Sequence, residues 1–287
     1  MRLLPDTVPQ AAGIRCDARL ELGFAQCDGT RMVRREHFGP LRVQKPLYPE
    51  GKDVCHAIVV HPPGGVVGGD ELSISAHVQA DAAALLTTPG AAKWYKANGR
   101  ISRQDVRLVA DDGASLEWLP QETIFFDQAQ VCLEHEVMLG KDATYIGGEI
   151  LCFGRTASGE RFASGCIRQR TSIRRDGRLV WFEQGTLDAT DSAMHNPLGL
   201  AGKTVCATLL AVGKTLPNAS LARLRDDAGS LAADGELFGV TQTRSVVVTR
   251  YLGDSSETAR RIMMRAWQLL RPEIAGREAV VPRIWNT

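Results

Sequence analysis

Almost no excess charge is carried by this chain: 34 Lys and Arg against 33 Asp and Glu leave +1 at pH 7. No global field therefore draws it to nucleic acid or to a membrane surface. No run of about 18 apolar residues occurs, so no helix is expected to span a membrane. Met1 to Gly23 also lacks the apolar core of a secretory leader. The seven cysteines are scattered, odd in number and without a C-x-x-C pair. Free thiols in a reducing cytoplasm are the expectation, and a structural zinc site is not. G-x-S-x-G and H-E-x-x-H are both missing, so neither a nucleophile elbow nor a zincin helix is available. Cys55 and His56 are adjacent; on a strand they face opposite sides and do not make a nucleophile–base pair.

What is present begins with material for a core. Hydrophobic residues make up 44% of the 287 positions, which is ordinary for a globular chain and excludes disorder as the default. The stretch that organises the rest is His61-Pro62-Pro63-Gly64-Gly65-Val66-Val67-Gly68-Gly69-Asp70. An apolar run, Ala57 to Val60, precedes it and reads as a buried strand that the prolines stop. Four glycines then permit backbone angles that other residues resist. A second strand pattern alternates through Leu72, Ile74, Ala76 and Val78. Gly64 and Gly69 have the outer spacing of a P-loop, but Asp70 and Glu71 occupy the Lys and Ser/Thr places and no helix follows, so a nucleotide site is rejected. Two uses stay open: a metal or catalytic site with His61, Asp70 or Glu71, and a turn that packs backbone on backbone.

Along the chain, residues 1 to 10 read as a loose terminus and Ala18 to Thr30 as one strand with Leu20, Leu22 and Phe24 on one face. Arg31 to Arg35 reads as a solvated strand end. Asn98-Gly99 predicts a primed hairpin turn joining Lys93–Ala97 to Ile101–Val109. Val131 to Leu139 alternates, with His135 on the apolar face as a packed histidine. Arg175-Asp176-Gly177-Arg178 predicts a second hairpin. Thr204–Val212 and Thr243–Tyr251 read as strands. Asn218 is expected to cap a short helix around Leu221 and Leu224. Ala259, Ile262, Met263, Ala266, Trp267 and Leu270 fall at helical spacing, capped by Asp254 or Ser255 and ended by Pro272. The fold class expected is mainly β: a large multi-stranded solenoid or sandwich-like body over residues 18–200, with a small β-α-β-α part holding about two helices over 201–287, all in one domain spanning 1–287. No repeat is clean enough to name a solenoid from sequence.

The chemistry left is a set of carboxylates beside glycines and aromatics: Asp70, Glu71, Glu122, Asp127, Glu149 and Glu183. Such a set suits weak handling of a hard or borderline cation better than a fixed transition-metal site. Glu149, among Tyr145, Ile146, Ile150 and Leu151, needs a partner or a wet cavity if buried.

Three stretches, in order, resemble the signature of a known family. They are His61 to Asp70, with His61, Pro62, Pro63, Gly64, Gly65, Gly68 and Gly69 as its frame; Thr87-Thr88-Pro89-Gly90-Ala91 with Lys93 and Tyr95; and Trp118-Leu119-Pro120-Gln121-Glu122-Thr123-Ile124-Phe125. The family is the urease accessory protein UreD, called UreH in some species. The resemblance covers most of the chain and weakens after about residue 200. It implies a non-enzymatic, helix-poor β protein of the cytoplasm that binds apo-urease and UreF and, through UreF, the GTPase UreG. It implies no permanent cofactor but transient nickel, delivered to urease along an internal path, and leaves room for a dimer of the accessory complex. On this footing Asp70, Glu122, Glu149 and Glu183 are the candidates to line or gate the path. The C-terminal helix and the loop Asp188 to Leu200 are the expected UreF-facing side. The alternative is a small-molecule enzyme with the Gly64–Gly69 corner as oxyanion hole and His61 as base. That reading requires His61 bonded to a carboxylate and facing a cavity.

Overall fold

Alternation in the first half of the chain builds strands whose alternate side chains enter one core. A computed structural model of the protein describes residues 16–286; the loose terminus read over residues 1–10 lies outside them. The expected single strand Ala18–Thr30 is two: β1 (Asp17–Gln26) turns through Cys27–Gly29 into β2 (Thr30–Phe38). Gly29, at φ +91°, makes that reversal. There follow β3 (Arg42–Leu47), β4 (Cys55–Val60), β5 (Glu71–Val78), β6 (Ala83–Thr87), β7 (Ala92–Trp94), β8 (Ser102–Ala110), β9 (Ser115–Leu119), β10 (Thr123–Phe125), β11 (Gln130–Leu139), β12 (Thr144–Phe153), β13 (Cys166–Arg175) and β14 (Arg178–Asp188). After them come β15 (Val205–Val212), α1 (Asn218–Gly229), β16 (Leu237–Thr243), β17 (Val246–Gly253) and α2 (Ser256–Ala275).

The strands form two sheets. One has seven strands in the order β14-β13-β11-β8-β5-β1-β2; the other has ten, with the path β16-β17-β15-β12-β9-β6-β4-β3, β10 beside β12 and β7 beside β10. From β4 to β13 the chain passes back and forth between them. Within each sheet the successive strands lie parallel: β5, β8, β11 and β13 in one, β4, β6, β9 and β12 in the other. This is a flattened β-solenoid of about four turns, as the strand pattern predicts. Parallel register stacks equivalent residues into rows. One row, Leu22, Ala76, Leu108, Val137 and Ile173, is apolar and buried throughout. The next, Leu20, Ile74, Val106, His135 and Thr171, begins apolar and ends polar. Rows demand compatible size and burial, not identity, and the spacing between their members is unequal. No repeat is therefore visible in the sequence.

Three local expectations are corrected. Asn98 and Gly99 do have the positive φ values of a primed turn, +49° and +80°, and Arg100 N donates to Ala97 O at 3.0 Å. Yet β7 and β8 enter different sheets, so the turn is a solenoid corner and not a hairpin: turn chemistry sets local direction, while burial of both faces decides pairing. Asn218 is the first residue of α1 and not its cap; Pro217 holds the cap position and no side chain caps there. Pro272 does not end α2. The helix continues to Ala275 and stops at Gly276, which has φ +65°. Proline gives up one helical hydrogen bond, and the burial of Arg271 and Ile274 on either side holds the last turn in place. Ser255 Oγ caps the other end by accepting from Thr258 N at 3.1 Å. The predicted stripe from Ala259 to Leu270 is buried against the outer face of the ten-stranded sheet.

Candidate functional site

The glycine corner crosses from β4 in one sheet to β5 in the other. It lies on the next corner of the solenoid: Val66 N donates to Lys93 O at 2.8 Å and Tyr95 N to Val66 O at 2.9 Å. Gly68 faces the backbone of Ala97 so closely that a Cβ would stand 1.7 Å from its carbonyl oxygen. Asp70 closes the corner. Its two carboxylate oxygens accept from Cys16 N and Val67 N, each at 3.0 Å. His61 has no such role. Its Nε2 is buried without a hydrogen-bond partner among the described residues. Burial lowers its pKa while the charge of Asp70 opposes the shift. The carboxylate hydrogen bond that the enzyme alternative requires is thus not formed.

Between the sheets runs a chain of three cavities. The first, about 200 Å³, lies under the corner and is lined by His61, Gly64, Gly65, Lys93 and Trp94 among others. Gln104, Trp118, Pro120 and Thr123 line both it and a second cavity of about 70 Å³, which reaches His135, Tyr145 and Glu149. Glu149, Leu151, Gln169, Glu183 and Thr208 in turn line both the second and a third of about 430 Å³, which adds Cys206, Leu237 and Arg250. Exposed residues, Gly64 and Gly90 at one extreme and Gly199 and Leu237 at the other, put both ends at the surface.

The interior turns polar where the rows do. Tyr145 Oη and His135 Nε2 meet at 2.9 Å between the sheets. Burial pushes the imidazole pKa down to about 4, so the ring is neutral at pH 7 and accepts the phenol's proton. Gln169 Nε2 donates to both oxygens of Glu149, at 2.6 and 2.5 Å. Arg250, two strands from Glu149 in the same row, donates to Glu183 at 2.6 Å and ties the sheets at the far mouth. Burial, with the charge of Glu183 adding to it and Gln169 opposing it, pushes the Glu149 pKa up to about 7. Cys206 faces the same cavity, and burial raises its thiol pKa above the ordinary value. It stays protonated at neutral pH and is a weak ligand.

The folded pKa of Glu149 lies above the unfolded one. Its cost to stability is therefore absent below the ordinary carboxylate range, appears as pH rises from there to about 7, and is constant beyond. Glu149→Gln is expected to stabilise the fold by about 1–3 kcal/mol at pH 8 and by almost nothing at pH 4. Urea unfolding at the two pH values checks this; an equal change at both would place the titration elsewhere.

Of the four candidate carboxylates, Glu149 and Glu183 share the interior, whereas Asp70 and Glu122 line none of the three cavities. Glu122 is buried and accepts from Arg260 Nε of α2 at 2.7 Å, fastening that helix to the strand end. Sequence reasoning missed a second fastening. Arg271, fully buried, donates to Glu117 Oε1 at 2.8 Å and in bidentate fashion to Glu50 at 2.7 and 2.9 Å. Trp267 Nε1 donates to the other oxygen of Glu117, and His56 Nε2 contacts Glu50, both at 2.6 Å. The available signal was Glu117 between Leu116 and Trp118 in an apolar strand. Among the described residues no three His, Cys, Asp or Glu side chains come together in a way that would hold a metal ion.

Fold and interior define the class: a β-solenoid scaffold with adjoining cavities between its sheets and buried charged groups that fasten one element to another. The comparisons give that class a family. The model of the UreD urease accessory protein family matches residues 16–286. Among relatives, the chain is 64% identical to the urease accessory protein UreD of Janthinobacterium sp. (strain Marseille), over 94% of this chain and 91% of that one. It is 55% identical to UreD of Nitrosospira multiformis, over 94% and 97%, and 49% to UreD of Dechloromonas aromatica, over 94% of each. The chain belongs to the UreD urease accessory protein family and is a maturation factor of urease, not an enzyme.

Proposed function

We propose that this chain is a cytoplasmic scaffold that binds apo-urease and UreF, and through UreF the GTPase UreG, and that nickel crosses it in transit through the interior passage. The observation that carries this reading is that neighbouring cavities share lining residues from one mouth to the other, with Glu149 and Glu183 lining the second and third. Nickel is cargo here. Carboxylates with protein hydrogen-bond partners replace part of its hydration shell without forming a closed site, which suits passage better than storage. Glu149, half ionised near neutral pH, is a ligand that also lets go. Asp70 and Glu122 act on the path at one remove, by fixing the corner and α2.

The far mouth is the better partner face. Leu198 is 98% exposed, and Leu237 is also exposed. They adjoin or line the third cavity beside Gly199 and Leu200. Exposed apolar residues gathered round a mouth suit a partner that continues the passage. The loop Asp188 to Leu200 thus remains the proposed UreF-facing element, whereas the apolar stripe of α2 is already covered by the sheet.

Thr208 lines both the second and third cavities, so Thr208→Phe would obstruct the interior where the two adjoin. Co-purification with UreF and apo-urease is expected to be unchanged, while urease activation at limiting nickel falls to a small fraction. Glu149→Ala with Glu183→Ala should act in the same direction. Full activation by both variants would reject transit through the interior and leave the scaffold role.

A further inference from the structure

The paths of the two sheets end on four strands: β14 and β2 in one, β16 and β3 in the other. An exposed edge is a template for another chain, and folded proteins blunt it with charge, proline or cover. Three of these edges are treated in that way. β2 carries Arg31, Arg34, Arg35 and Glu36, and β3 holds Lys45 and Pro46. β16 has α1 beside it, with Arg225 donating to Val240 O at 3.0 Å. β14 is the exception. It runs for 11 residues without proline or lysine. Glu183, its one carboxylate before Asp188, turns to Arg250. Leu179 and Phe182 are 48% and 53% exposed, and a Cβ on Gly185 would meet nothing within 4 Å. Among the described residues, the backbone from Leu179 to Leu187 bonds to nothing beyond its ladder with β13.

The face beside this edge is basic. Arg168, Arg170 and Arg174 alternate along β13 and stand exposed on its outward side, opposite Thr186, Gln184 and Leu179 of β14. The buried Ile167 and Ile173 mark the inward side. Glu134 accepts from Arg170 at 2.7 Å, and Arg174 reaches Gly177 O at 3.2 Å. Arg178 adds an exposed cation at the start of β14, and Asp176 in the turn offsets one of these charges. On the inward side of β14, Trp181 and Leu187 are half-buried.

We propose that the edge of β14 takes an added strand from a protein partner in which acidic and apolar residues alternate. Its carboxylates lie outward, toward Arg168, Arg170 and Arg174, and its apolar side chains lie inward, beside Trp181 and Leu187. The arginines stand two strand spacings, about 10 Å, from the added strand, a gap that extended arginine and glutamate side chains span together. Leu179 and Phe182 lie under those stems and lose contact with water. Main-chain pairing supplies affinity and the alternate side chains supply specificity. A second copy of this chain is the poorer occupant, because pairing β14 with itself brings two sets of arginines together. The proposal concerns an outer edge and is independent of nickel transit.

The test titrates the full chain into a fluorescein-labelled peptide of about nine residues, alternating glutamate and valine, and reads its anisotropy. Saturable binding is expected, weakening as salt rises. Lysine in place of glutamate in the peptide, or Arg168→Glu with Arg174→Glu in the chain, should weaken it roughly tenfold, while Arg168→Lys with Arg174→Lys retains it. Both arginines are exposed, so the variants keep the fold. N-methylation of alternate peptide residues separates strand addition from loose charge attraction. The set whose N–H groups face β14 should abolish binding, and the other set should leave it intact. No saturable binding, indifference to charge reversal, equal loss from both N-methyl sets, or dimerisation of the chain that Phe182→Glu abolishes would each overturn the proposal.

Discussion

Arg271→Met is expected to cost about 3–5 kcal/mol, because it removes one partner from a buried ion pair and leaves the other charges stranded. Glu117 and Glu50 are 3% and 7% exposed and reach Arg271 from two different segments of the solenoid. Burial raises the pKa of Glu117 despite the cation beside it. Burial also acts to raise that of Glu50, but His56 and Arg271 together hold it below its ordinary value. Without Arg271 both carboxylates must be protonated or bear desolvation alone. The loss should therefore be largest above the ordinary carboxylate range and shrink as pH falls into it. At about 2–4 °C per kcal/mol the melting temperature should drop by roughly 10 °C. Adding Glu117→Gln and Glu50→Gln should recover part of the loss. The amide oxygen introduced by Glu117→Gln can still accept from the Trp267 indole, and no charge remains buried. A loss below about 1 kcal/mol, unaltered by pH, would mean that the network carries no net weight.

Gly68→Ala is expected to be comparably severe, at about 3–5 kcal/mol, whereas Gly64→Ala should cost only about 1–2 kcal/mol. The two positions differ in what a methyl group would meet. At Gly68 it would stand 1.7 Å from Ala97 O and 2.5 Å from the carbonyl carbon, both backbone atoms of the adjoining corner. The corners would have to separate, breaking the Val66–Trp94 bridge and the bonds of Asp70. At Gly64 nothing lies within 4 Å and the cost is the positive φ of +79° alone. Urea unfolding of the two variants, read against each other, is the check. Equal small losses would show that the corners are not in close contact.

The strands, the turn residues and the α2 stripe were legible because each depends on residues close in sequence: period-two alternation, glycine where φ is positive, apolar side chains at helical spacing. The same locality explains the misreadings. Asn98-Gly99 has the turn geometry its residues dictate, but nothing local tells the following strand which sheet to join. Pro272 is a helix breaker in isolation and is tolerated next to Arg271, whose partner Glu117 lies 154 residues away in sequence. Glu149 was legible as a polar group in apolar surroundings, and Glu183 as a member of the carboxylate set. That the two meet in one cavity, with Gln169 and Arg250 beside them, was not.

By itself, then, the sequence determined a mainly β chain with a helical end and, through three ordered motifs, its family, since these rest on local periodicity and residue identity. Only the tertiary structure decided which carboxylates face a common interior, which ones fasten α2, and that the glycine corner roofs a cavity. The reason is physical. Parallel solenoid register brings residues from successive turns into rows, and whether a row encloses apolar packing or a polar passage depends on every strand in it at once.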